Sequence, residues 1–300
     1  MRISVSLTTS LPGIDPRIAV RNAVERARAA NDAGLDGLFV GDHHVTPTTY
    51  LQNTPILGRL LAEWGDRPAG CLFLFPLWNP VLIAEQVGTL AVIAQGRFIV
   101  QTGLGGPVGD FLAMGVNPKT KPSAFEEGLS IVRRLLAGET VSSDGRFRFE
   151  NAKIAPVAPE PVEFWIGASA DAGIDRAARL GDAFLGAPGG TPTQARRQVE
   201  VYLAAAAREG RPPIAALRRD IYIAADHKDA AAVRDDAATA RYRGMPVEAL
   251  IIGTVEQAAE TMKTYETMGY GEIVIRHLVD DQAKVLASYE RLAEVRRLVG

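Results

Sequence analysis

Eight apolar, strand-like segments alternate with helix-like segments along 300 residues, and no linker of disordered composition divides them. This pattern predicts an α/β protein with one domain over residues 1–300, folded as a closed (β/α)8 TIM barrel with insertions at its rim. A doubly wound open sheet is the other architecture that such alternation permits. Barrels of this length routinely form one domain, so size does not force a division. Composition is that of a globular chain, 47% apolar and 23% charged, and the formal charge of −2 gives no electrostatic reason to expect nucleic acid or an anionic membrane as partner.

The elements follow in order. ISVSL (residues 3–7) is the first strand, and residues 18–33 carry apolar side chains at helical spacing between charged ones. GLFVGD (37–42), GCLFLF (70–75) and RFIVQTG (97–103) are the next three strands, nearly continuous apolar runs of the kind that parallel strands buried on both faces require. Asn79 caps and Pro80 opens the helix NPVLIAEQVGTLAVIAQ, where a missing amide hydrogen costs nothing. SSDGRFRFENAKIAP places an Asp-Gly turn between short alternating segments and reads as an inserted hairpin. EFWIGA, DAFLGA, DIYIAA and EIVIRH are strands five to eight, separated by helices beginning near Ala172, Thr193 and Asp229. Thr254 and Gln257 have capping-box spacing for a further helix in the seventh connection, and the last helix spans residues 282–298.

The N-terminus lacks a signal peptide's apolar segment, and no run reaches a membrane span, so a cytoplasmic protein without membrane contact is expected. The lone cysteine, Cys71, cannot form an internal disulfide and reads as a small buried hydrophobe.

Barrel enzymes build their sites at the carboxyl ends of the strands. Asp42, His43 and His44 stand at such an end, so two of the four histidines are adjacent there. An imidazole near neutral pKa suits general acid–base work, capping or a backbone contact is the plainer use, and a metal site is the rival reading. Neighbouring residues on a strand point to opposite faces, which argues against two histidines sharing one ion, so no metal is expected. GASADAG (167–173) runs from a strand into a helix with small residues that let amides approach an anion. Gly167, Ala168, Ser169, Ala170 and Gly173 are therefore assigned to a phosphate, unless Ser169 merely caps the helix. TGLGGPVGDF (102–111) is a second Gly-rich loop.

DHH after the second strand, NPVLIAEQVGTLAVIAQGRF, FWIGASADAGIDRAARLGDAF and MGYGEIVIRH, in that order over nearly the whole chain, resemble the luciferase-like flavin oxidoreductases. The resemblance implies a (β/α)8 barrel that binds FMN, or the deazaflavin coenzyme F420, and acts by hydride transfer or oxygen chemistry, usually as a homodimer. It implies acid–base work for His43, with Asp42 or a nearby polar group orienting it and His44 in a structural or substrate-shaping role. It places a bulge, often with a nonproline cis peptide, near Cys71 and Leu72 against the ring, with Gln101, Thr102 and Gly103 beside it. Arg276 and His277 are candidates to complete the site. Leu104 and Gly105 stand where relatives often carry a phosphate-holding arginine, Ala91 and Ala94 where many have an acid and a serine, and Asn79 where a histidine often precedes the proline. No GxGxxG follows the first strand, so reduced flavin is expected from a separate reductase. The expected activity is a monooxygenase using reduced FMN and oxygen on a small uncharged substrate. Deazaflavin-dependent hydride transfer, a noncatalytic flavin-binding protein and a metal-dependent hydrolase are the alternatives.

Overall fold

The computed structural model describes all residues, Met1–Gly300. In chain order the strands are β1 (Arg2–Leu7), β2 (Leu38–Val40), β3 (Ala69–Phe73), β4 (Phe98–Thr102), β5 (Val141–Ser143), β6 (Phe149–Ala152), β7 (Glu163–Ala168), β8 (Ala183–Gly186), β9 (Ala215–Ile223), β10 (Ile251–Gly253) and β11 (Glu272–His277). The hydrogen-bonded order β11-β1-β2-β3-β4-β7-β8 is closed by β9, which pairs with both β8 and β11. Eight strands thus form the closed parallel barrel that the alternation predicts. Burial explains the apolar runs: β2 and β4 are buried at every residue.

The helices are α1 (Pro16–Asp32), α2 (Asn53–Leu60), α3 (Pro80–Ile93), α4 (Val108–Ala113), α5 (Lys121–Leu136), α6 (Asp171–Leu180), α7 (Pro192–Arg208), α8 (His227–Thr239), α9 (Val255–Met268) and α10 (Gln282–Val299). Small side chains let α1 lie close to its neighbours, since its buried stripe is Ala19, Ala23, Ala27 and Ala30. At α3, Asn79 Oδ1 accepts from Val81 N at 2.9 Å and Pro80 takes the first position. At α9, Gln257 Oε1 accepts from Thr254 N at 3.1 Å. β5 and β6 make the inserted antiparallel hairpin, with Asp144 and Gly145 between them. No helix is long and apolar enough to cross a membrane.

Three features depart from expectation. The seventh barrel strand starts at Ala215, well before Asp220. β10 adds to the carboxyl half of that strand, Ile251 opposite Ile221, while β8 takes its amino half, Phe184 opposite Ala215. The bulge and cis peptide expected at Cys71 and Leu72 are absent: β3 and β4 pair without a register shift from Ala69↔Phe98 to Phe73↔Thr102, and the cis peptide bond is Ala155–Pro156. What distinguishes this part of β3 is Gly70, where a Cβ would lie 1.7 Å from Ile99 O, so no side chain fits.

Contacts divide the chain into two compact units. One comprises Met1–Thr8, Arg21–Leu38 and Trp165–Gly300, the other Thr9–Val20 and Phe39–Phe164, so neither is a contiguous segment.

Candidate active site

Asp42 follows the end of β2 and is buried. Its Oδ2 accepts from Leu74 N at 2.8 Å and from Trp78 Nε1 at 2.9 Å. The chain delivers both donors by leaving β3 into a short 3-10 turn, Phe75–Leu77, whose end places Trp78. Oδ1 of Asp42 lies 3.1 Å from His44 Nε2, an ion pair in which the N–H is not aligned with the oxygen, so neither atom is fully satisfied. Asp42 still raises the His44 pKa above the usual histidine value, against the pull of burial, and the charge of Asp110 adds to the effect. Edge-on contact with Trp78, ring centroids 5.4 Å apart, fixes the imidazole further.

The acid therefore pairs with His44 and not with His43, a correction set by the course of the chain beyond the end of β2, where residues 41–44 lie outside the strand. His43 is half-buried, meets Tyr50 edge-on at 5.7 Å, and accepts from Gln52 only through its backbone oxygen. Its ring nitrogens have no protein partner.

The remaining assignments in this unit separate by what their side chains already do. Cys71 is fully buried, and desolvation, with the charge of Asp42, pushes its thiol well up. It is a neutral core residue. Leu72 presents its carbonyl to Asn53 Nδ2 at 2.7 Å. Thr102 spends its hydroxyl on Phe73 O at 2.9 Å, bracing β4 to β3, whereas Gln101 is buried with Nε2 unpartnered. Gly103 follows directly on β4.

In the other unit, Gly167 and Ala168 end β7, and α6 begins at Asp171 with Ala170, not Ser169, as its cap and no side-chain cap bond. The Ser169 hydroxyl and the first amides of the helix are thus left unspent. Gly173 lets the helix close on the strand, since a Cβ there would meet Ala168 Cβ at 2.9 Å. Ser169 lines a cavity of about 510 Å³ with Ala187, Gly189, Gly190, Gln194, Arg197 and Gln198. Arg197 is exposed and holds Asp171 through two bonds of 2.7 Å. Gln198, buried, donates Nε2 to Ser169 O at 3.1 Å, which leaves its Oε1 without a partner.

Arg276, near the end of β11, forms a buried ion pair with Asp220 of β9, while its Nε and Asp220 Oδ1 remain unpartnered. Burial opposes charge there, but Asp220 and Tyr242 outweigh it and raise the Arg276 pKa. His277 does not belong with it. The ring is fully buried against Tyr289, 2.9 Å from Ser288 Oγ, and burial with the nearby Arg26 charge pushes its pKa down to about 3. Asp220, Trp78 and Gln198 are partners that sequence reasoning did not single out. No group of three or more His, Cys, Asp or Glu side chains is placed to hold a metal ion.

Comparison with known proteins agrees with this architecture. An F420-dependent glucose-6-phosphate dehydrogenase of Nakamurella multipartita is 28% identical over 178 residues, 56% of this chain, and the match spans about half, 52%, of the relative's length. The monooxygenase RslO1 of Streptomyces bottropensis superposes with a TM-score of 0.85 at 19% identity over 98% of each chain. The oxygenating constituent of 3,6-diketocamphane monooxygenase of Pseudomonas putida, solved with FMN, superposes with a TM-score of 0.84 at 16% identity over 100% of this chain and 99% of its own. The family model for luciferase-like monooxygenases matches residues 1–246, and the chain belongs to that family.

Proposed function

We propose that the chain is an oxidoreductase working with a phosphorylated flavin or deazaflavin on a small uncharged organic substrate. The observation that carries this reading is the cavity just past the carboxyl end of β7, where the Ser169 hydroxyl, the uncapped start of α6 and the buried, unpartnered Gln198 Oε1 come together. Buried polar atoms without a hydrogen bond are uncommon in native cores, and each calls for a partner. Barrel enzymes do their chemistry at this end of the strands.

The residues fit such a group. Gln198 Oε1 suits a hydroxyl of the sugar-alcohol chain, and Ser169 with the uncapped start of α6 suits the phosphate. When bound, the cofactor supplies hydride or electron transfer. His43, whose ring nitrogens are uncommitted, holds and passes the proton, while Asp42 raises the proton affinity of His44.

Two cofactor modes stand side by side. The structural neighbour named as the oxygenating constituent of a monooxygenase and solved with FMN favours FMN with oxygen, and the sequence relative named for F420 favours deazaflavin-dependent hydride transfer. Supplying the protein with each reduced cofactor in turn separates them. Oxygen-dependent turnover of a substrate panel with FMN supports the first mode, and anaerobic reoxidation of the deazaflavin by an organic acceptor supports the second. Flavin binding without either reaction defeats the enzymatic reading.

A further inference from the structure

Arg219 lies on β9 with no exposed surface, and no carboxylate meets it. Its guanidinium donates only to neutral oxygens: Nε to Tyr265 Oη at 3.0 Å, Nη1 to the carbonyls of Ala187, Pro188 and Arg218 at 3.1, 3.1 and 3.0 Å, and Nη2 to Gly190 O at 2.9 Å. A buried charge without a counter-ion is costly and calls for an explanation. Three of these carbonyls belong to the loop after β8, whose Ala187, Gly189 and Gly190 line the cavity beside Ser169. In a trans peptide the carbonyl and the following N–H point in opposite directions. Drawing Pro188 O toward Arg219 therefore turns Gly189 N–H away from it, and that amide makes no hydrogen bond within the protein. The corresponding amide of Thr191, after Gly190, is taken by Gln194 Oε1 at 2.9 Å.

We propose that Arg219 is a positioning residue for phosphate: it holds the loop's carbonyls inward so that the Gly189 amide and the positive ends of the peptide dipoles face the cavity, and its own charge is balanced by the dianion bound there. The inference rests on the reading of this cavity as the seat of the cofactor's phosphate. Gln198 gives independent support, because its buried, unpartnered Oε1 at the same cavity is an acceptor for a ligand hydroxyl.

The test compares FMN with riboflavin, which lacks the phosphate, by quenching of flavin fluorescence, together with the thermal stabilisation given by inorganic phosphate. Arg219→Met should weaken FMN about tenfold or more, the worth of one charge-assisted hydrogen bond, with riboflavin affinity changed less than about twofold. Arg219→Lys, which keeps the charge but not the fork, should fall between Met and the native protein, and it carries the test if the Met variant does not fold. Equal losses for both flavins, or none, in the variant that folds overturn the positioning role while leaving flavin binding intact. If the native protein binds neither flavin but is stabilised by phosphate in an Arg219-dependent way, the cofactor reading falls and the role of Arg219 stands. No response to flavin or phosphate refutes both.

Discussion

Asp42 gives the sharpest test of the structure around the histidine pair. Asp42→Ala removes the acceptor of two buried donors, Leu74 N and Trp78 Nε1, and leaves both without a partner. An orphaned buried donor costs about 1–3 kcal/mol, so the variant should lose about 2–6 kcal/mol. Asp42→Asn keeps an oxygen for the same donors and removes only the charge, so it should lose about 1–2 kcal/mol. Urea unfolding at neutral pH measures both through the shift in midpoint. The charge itself is read at His44 by NMR titration. Asp42 raises that pKa, so in the Asn variant it should drop toward the ordinary histidine value. A folded-state pKa above the unfolded one adds stability that is complete below the unfolded value near 6.5 and fades as pH rises through the folded value. Asp42→Asn should therefore erase the part of the native stability that disappears on raising pH above 6.5. Equal midpoints for the Ala and Asn variants, or an unmoved His44 titration, would refute the reasoning.

Other expectations follow from the same geometry. His43→Ala should keep the fold and cofactor affinity and lose turnover by about 10²- to 10⁴-fold, the usual cost of removing an acid or base, with a smaller loss in His44→Ala; steady-state rates at saturating reduced cofactor check the order, and full activity of His43→Ala contradicts it. His277, held neutral with a pKa near 3, binds its proton in the unfolded chain below about 6.5 but not in the native state, so it removes up to about 1.4 kcal/mol per pH unit as pH falls between these values. His277→Gln should flatten that slope by about one proton in unfolding curves taken from pH 6.5 to 4, and an unchanged slope counts against the buried neutral imidazole. Leu82, Val92 and Ile93 leave an apolar, half-exposed face on α3 that a second copy of the chain would cover. Sedimentation at micromolar concentration should show a dimer that Ile93→Arg weakens, and a monomer alone speaks against it.

The barrel was legible because its strands are buried on both faces and so appear as unbroken apolar runs. Where burial is polar the signal fails: Arg218, Arg219 and Asp220 hid the first half of β9, although Arg219 and Asp220 are wholly buried there. β10, three residues long, is too short for any periodicity to show. The pairing of Asp42 with His44 depends on how the chain runs after β2 ends at Val40, which residue pattern does not encode. Likewise, Asp220 reaches Arg276 across 56 residues of sequence, and only the adjacency of β9 and β11 brings them together. Ser169 was a reasonable helix cap by residue type, but α6 starts one residue later, which changes the serine from a capping acceptor into a hydroxyl left over for a ligand. The bulge inferred at Cys71 by resemblance is replaced by regular pairing, a detail of backbone that side-chain identity does not encode.

The central claim is that the cavity at Ser169 seats the phosphate of a flavin-type cofactor. Direct titration of the chain with FMN and with the deazaflavin coenzyme, followed by fluorescence, tests it without presuming a substrate. The account predicts saturable, one-to-one binding of at least one of them, weakened for a form lacking the phosphate and weakened again in Gly167→Asp, which sets a carboxylate where the anion is placed. Absence of saturable binding by either cofactor to the folded protein would contradict it.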